Sequence, residues 1–302
     1  MSTAERDATV SAARTQGRTA TPPSPAPPSP AASWLRMLGS ELRLILGRRR
    51  NQAGMLVLAL VPVLIAVAIK LASPRRRTGG PDFFSQITGN GLFVAFAALS
   101  VELIFLLPIA IALVSGDAVA GEAKEGTLRY LLTVPVGRTR LLAVKYASLV
   151  IVALIAVGIV ALAGALIGTA MFGTGDVTTL GGTQVSAAEG VRRLVLSVLY
   201  LAAGMAALAA VGLFVSTLTE QPIAVVVTVM ILTVVAWLLD GIPQVEVIHP
   251  WLLIDAWPAF ADLLREPPMT ETIRRGLLVD AGYAVVFWLA AWARFSNKDI
   301  TA

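Results

Sequence analysis

The sequence predicts an all-α polytopic membrane protein with six transmembrane helices and an N-terminal interfacial amphipathic helix. Two compositional facts and one pattern predict it. Charged residues make up only 14% of the 302 residues, against about 25% in soluble domains. The mean hydropathy is +0.77, and a chain that apolar needs lipid rather than water around it. Six stretches approach the roughly 20 apolar residues that one crossing of the hydrocarbon core requires.

Residues 1–32 read as a disordered tail. Thr21–Ala31 is TPPSPAPPSPA, preceded by Ser, Thr, Ala and Arg. Such a segment buries too little apolar area to offset the entropy of ordering it. No apolar core follows Met1 as a signal peptide would need, so insertion falls to the first span. Residues 33–51 come next. At 100° per residue Trp34, Leu35, Leu38, Leu42, Ile45 and Leu46 share one face, with Met37 and Leu44 off it. Arg36, Arg43 and Arg50 recur on another face. This pattern predicts a helix lying in the membrane interface; the plainer alternative is a basic anchor beside a span.

The transmembrane domain occupies 52–302, with spans expected at 53–72, 92–115, 142–172, 193–215, 222–240 and 277–294. The third is too long for a perpendicular crossing and should tilt or project. Pro62 and Pro108 fall inside spans, which membrane helices tolerate when neighbours satisfy the freed carbonyls. Gly164 and Gly168 form a GxxxG pair suited to close packing within the bundle. Between spans five and six, residues 241–276 hold five prolines plus Trp251 and Trp257. Proline interrupts helix and Trp favours the interface, so short interfacial or re-entrant helices are expected there.

Lys and Arg set the expected orientation. An even span count puts both termini on one side. The dense clusters Arg43–Arg50 and Lys124–Lys145 favour cytoplasmic termini, and loop 173–190 has no basic residue. Arg75–Arg77 run against the rule. The expected location is the plasma membrane, multi-pass, with both termini cytoplasmic.

The informative stretch is Asp117–Lys145, DAVAGEAKEGTLRYLLTVPVGRTRLLAVK, which joins the second and third spans. Charge enters abruptly at Asp117, Glu122, Lys124 and Glu125. Gly126 offers a helix end, Thr127 a cap for a short helix through Leu132, and Pro135 with Gly137 a break before Arg138. A compact helix, a turn and a second short helix fixed to two spans would suit transmission of motion from a cytoplasmic partner. Glu122 and Glu125 share a helical face and could meet basic residues of that partner, while Arg138 could equally hold a lipid phosphate. The plainer reading is a solvated loop with cytoplasmic anchors.

These residues resemble a family signature. Glu122, Gly126, Thr127, Leu128, Leu131, Leu132, Pro135, Val136, Arg138, Leu142 and Lys145, approached through Ser115, Gly116 and Asp117, look like the signature of the type 2 (ABC-2) exporter permeases of ABC transporters. The interfacial helix, the six spans and the long loop before the last span are similar to that family as well. The resemblance implies that 52–302 is a permease domain. It also implies that Asp117, Glu122, Glu125, Gly126, Thr127, Pro135 and Arg138 belong to a cytoplasmic coupling loop docking on an ATPase subunit. The implied partners are that separate nucleotide-binding subunit and a second permease copy or paralogue, forming a dimer in membrane lipid.

The chain has no G-x-x-x-x-G-K-[ST] phosphate loop, since none of Lys70, Lys124, Lys145 and Lys298 follows the required glycines. It is therefore expected not to be an enzyme in itself and to carry no cofactor. Absence of Cys and a single His, His249, exclude thiolate and multi-His metal sites and cysteine nucleophiles. The charge of +5 belongs to span ends rather than to a nucleic-acid surface. His249 beside Pro250 reads as structural, and Trp288 and Trp292 as interface anchors. Glu102, deep in the second span, has two readings: a lining of the substrate path, or a buried packing residue. Thr228 and Thr233 could line the same path or bond their own backbone. A non-transporting scaffold or sensor component of an ABC-like complex remains the alternative to a permease.

Overall fold

The computed structural model describes residues 30–72, 90–126, 137–179 and 182–297. The tail through residue 29, Arg75–Arg77 and motif residues 127–136, including Thr127 and Pro135, lie outside the described residues. The chain divides into two units, Met1–Arg36 and Met37–Ala302. Of the first, the opening of helix α1 is described, with Leu35 exposed.

Helix is nearly the only regular structure described. α1 runs Pro30–Gly47 and α2 Arg49–Ala72. The second span is built from α3, Leu92–Ile104, and α4, Leu106–Gly116. α5 runs Arg138–Phe172, α6 Ala187–Leu218, α7 Pro222–Asp240 and α8 Thr270–Asn297. Among the described residues six helices are long and apolar enough to cross a membrane, the second of them being Leu106–Lys124, which continues α4 beyond Gly116, and the protein is a helical membrane protein. A two-residue antiparallel ladder, Val177–Thr178 against Gln184–Val185, sits before α6.

Helix boundaries follow local chemistry. Ser186 accepts a hydrogen bond from the Glu189 amide at 3.3 Å and so caps α6, in the Ser-x-x-Glu pattern of a capping box. Pro222 opens α7 in the first turn, where the N–H groups have no partner within the helix and a missing one costs little. Pro108 explains the break in the second span. It lacks an N–H and its ring crowds the carbonyl four residues back, that of Ile104, and the helix interrupts at Phe105, φ −143°. Where an unbroken 92–115 was expected, the span is therefore two helices. The predicted interfacial segment 33–51 is also divided. α1 ends at Gly47, and Asn51 and Gln52 of α2 donate to the Ile45 and Leu46 carbonyls at 2.7 and 3.1 Å, satisfying the last turn of α1. Within the second unit Met37 packs against the core with Leu42, Ile45 and Leu46, and Leu38 is buried, so the buried face of α1 includes a residue the face assignment left off.

α6 is the most deeply packed of the six long helices, whereas α2, α7 and α8 keep broad apolar faces outward. An exposed apolar face is the surface that lipid solvates. Small residues allow the closest approach. A Cβ on Gly164 would lie 2.6 Å from Ala95 Cα, and one on Gly168 would lie 2.0 Å from the Gly91 carbonyl oxygen. The GxxxG pair of α5 thus packs against the start of the second span. The third span, at 35 residues, exceeds the expected length by an N-terminal turn. The segment 241–269 forms 3-10 turns at Pro243–Val245, His249–Trp251 and Trp257–Leu264, the short helices that its prolines predicted.

Candidate functional site

The second span does not stop at Gly116. It continues through a π-helical turn, Asp117–Gly121, and a last α-turn, Glu122–Lys124. A π-turn adds a residue to the helical register and frees backbone groups. Ser216, near the end of α6, meets them. Its hydroxyl accepts from the Val119 and Ala120 amides at 3.1 and 2.9 Å and donates to the Gly116 carbonyl at 3.1 Å. One donor and two acceptor positions exhaust what a hydroxyl offers. Gly126, at φ +70°, then ends the segment, as its lack of a Cβ permits.

Beside this turn lies a network of charges. Lys145, in α5, is 1% exposed, and its Nζ donates to Glu122 Oε1 at 2.5 Å and to Glu41 Oε1 at 3.0 Å. One buried ammonium therefore joins α1, the root of the loop and the third span. Asp117 Oδ2 accepts from Arg48 Nη1 at 2.6 Å and from Arg50. Arg48 also approaches Glu125 at 3.9 Å. Arg138 donates to the Ser296 carbonyl at 2.8 Å and Trp292 to the Thr139 hydroxyl at 2.9 Å, so the end of α8 is tied to the start of α5. Pairing of this kind is what permits charge to be buried at all.

The candidate loop residues thus divide by direction. Asp117 and Glu122 point inward onto Arg48, Arg50 and Lys145, and Arg138 onto the end of α8. Lys124, Glu125 and Gly126 are exposed. Sequence reasoning missed the hub: Lys145 was noted as a motif position, and Glu41, Arg48, Arg50 and Ser216 were not assigned to the site. The available signal was Lys145 itself, a charge about one turn inside an apolar run, where a partner must exist.

The intramembrane candidates do not form a cluster. Glu102 is fully buried, and neither carboxyl oxygen meets a hydrogen-bond partner among the described residues. No hydrogen bond joins it to Thr228 or Thr233. Thr228 is exposed on α7, and Thr233 is buried with its hydroxyl donating to the Val229 carbonyl at 2.9 Å, the self-bonding expected of Thr in a span.

The segment 241–269 is fastened by Arg193, 4% exposed. It donates to Glu189 at 2.8 Å, to the Leu263 and Arg265 carbonyls at 3.2 and 3.0 Å, and to Glu266 at 2.5 Å. His249 Nε2 lies 3.0 Å from the Leu239 carbonyl oxygen and 3.2 Å from that of Ile242, a structural role. Asp255 is held above the usual carboxylate range, first by burial and then by the Asp240 carboxylate, with Arg275 and His249 opposing. Among the described residues no group of three or more His, Cys, Asp or Glu side chains could hold a metal ion.

The chain has no match among the curated proteins. Its residues 59–301, from the middle of α2 through the end of the last span, match the family described as protein of unknown function, DUF2705, and the chain belongs to that family.

Proposed function

We propose that the chain is the permease subunit of a type 2 ABC exporter in the plasma membrane, with both termini cytoplasmic, powered by a separate ATP-hydrolysing subunit. The observation that carries this reading is the Lys145 hub. A loop that merely connects two spans has no need of a buried ammonium shared by two carboxylates from different segments. Such a hub makes α1, the end of the second span and the start of the third move together. A push delivered at the exposed Lys124, Glu125 and Gly126 would then travel into the bundle as a displacement of helices rather than dissipate in the loop. In this reading Asp117, Glu122 and Lys145 position the loop, Arg138 fixes its far root, and Glu125 with the neighbouring motif residues meets the ATPase. Two permease subunits and two ATPase subunits would form the transporter, and alternating access would be its work.

The test is affinity purification of tagged chain in mild detergent, followed by mass spectrometry of what accompanies it. The expected result is a soluble protein carrying a phosphate-binding loop, whose recovery falls when Lys124→Glu and Glu125→Lys are combined. Recovery of the chain without any ATPase, under conditions that keep other membrane complexes whole, overturns the proposal.

A further inference from the structure

Away from the loop, an apolar groove of about 820 Å³ runs between the turn His249–Trp251 and α8. Trp251, Leu278, Tyr283, Val286 and Phe287 line it, and Arg275 is its charged member. Its floor is aromatic. The Tyr283 hydroxyl donates to the Trp251 carbonyl at 3.0 Å, and the Tyr283 and Phe287 rings stack with centroids 5.8 Å apart. Arg275 stands in the second turn of α8, and the helix rises about 18 Å from there to Phe287 at 1.5 Å per residue. Half of a hydrocarbon core roughly 30 Å thick is of that order. The groove therefore has the length and polarity gradient of one leaflet, polar at the helix start and apolar toward its middle.

The polar end carries both signs of charge. Arg275 Nη2 lies 3.5 Å from Asp255 Oδ2, longer than a good hydrogen bond, and the Asp240 carboxylate acts on Asp255 as a second negative group, helping to raise its pKa. A guanidinium keeps further N–H donors beyond the edge turned to Asp255. A purely anionic head group brought to Arg275 would stand against two carboxyls, and a purely cationic one against the guanidinium. A head group holding a phosphate and an ammonium one short linker apart matches both.

We propose that this groove binds a zwitterionic phospholipid, one acyl chain along Tyr283 and Phe287, the phosphate on Arg275 and the ammonium against Asp255 and Asp240. This site is independent of the transport proposal, since it uses no residue of the loop.

Gly282 lines the groove, and a Cβ added there would meet nothing within 4 Å. Gly282→Leu therefore fills the groove without forcing the backbone. Wild type, Gly282→Leu and Arg275→Ala would be placed in nanodiscs of equal phosphatidylethanolamine and phosphatidylglycerol, extracted gently, and weighed with retained lipid by native mass spectrometry. Wild type is expected to retain phosphatidylethanolamine over phosphatidylglycerol by about tenfold, and both variants to lose that preference. Helical circular dichroism, unchanged in Arg275→Ala, separates loss of the site from loss of the fold. Equal retention of the two lipids by wild type overturns the proposal, as does wild-type retention by a folded Arg275→Ala.

Discussion

Lys145 and Glu122, 23 positions apart in sequence, meet at 2.5 Å with the lysine almost wholly removed from solvent. The contact closes the segment between the second and third spans into a loop with a fixed root. Glu41, at 3.0 Å, extends the same clasp to α1. Removing one member of a buried ion pair leaves the other charged and unpaired, at a cost of about 3–5 kcal/mol. Lys145→Met is thus expected to lower the melting temperature in detergent sharply. Adding Glu41→Gln and Glu122→Gln should restore much of it, because no unpaired charge then remains. An unchanged melting temperature in Lys145→Met would show that the clasp is not holding the fold.

Ser216 is the smallest part of the same assembly. Ser216→Ala strips two buried amides of the π-turn of their acceptor, at about 1–3 kcal/mol each for an unsatisfied group. Hydrogen exchange should rise at Val119 and Ala120 while exchange in the middle of α5 stays as in wild type. Exchange unaltered at those two amides would contradict the tie between α6 and the turn.

Close packing by glycine gives a graded series. Gly168→Ala forces a Cβ to 2.0 Å from the Gly91 carbonyl oxygen, and Gly204→Ala forces one to 2.7 Å from Trp257 Nε1. Both should destabilise by about 1–3 kcal/mol or more, as overpacking does. Gly158→Ala meets nothing within 4 Å and exchanges a flexible helical residue for a good one, so it should cost nothing. Thermal melts of the three variants in one detergent test the order.

Arg193 holds the long connection before α8 through the Leu263 and Arg265 carbonyls and the Glu266 carboxylate, while Glu189 of its own helix orients it. Arg193→Ala should leave the spans formed but expose the Arg265 bond to trypsin. Cleavage there at the wild-type rate would mean that other contacts suffice.

Asp255 supplies a pH dependence. Its folded pKa lies above its unfolded value, so the folded state holds the proton more tightly. The resulting stability is complete below the ordinary carboxylate value of 3.8 and is lost as pH rises through the raised value. Melting temperature should therefore fall across that window, with Asp240, His249 and Arg275 as the facing groups. Asp255→Asn should flatten the fall; an equally steep fall in that variant would assign it to another group.

The sequence by itself determined the membrane class, six helices long and apolar enough to span, the helix end at Gly126, the break-prone character of 241–269 (270–276 instead opens α8) and the packing role of Gly164 and Gly168. Each rests on a local property: hydrocarbon solvation of a continuous run, a backbone conformation a side chain resists, a missing N–H, or a missing Cβ. Direction was decided only by tertiary structure. Glu122 and Glu125 share one sequence pattern, yet Glu122 turns onto Lys145 and Glu125 faces outward. Lys145 could be flagged as a charge in need of a partner, while Glu41 and Ser216, one hundred or so positions from the groups they hold, could not. Their pairing arises when helices distant in sequence are brought side by side, and a single sequence carries no periodicity or local propensity that records such a meeting.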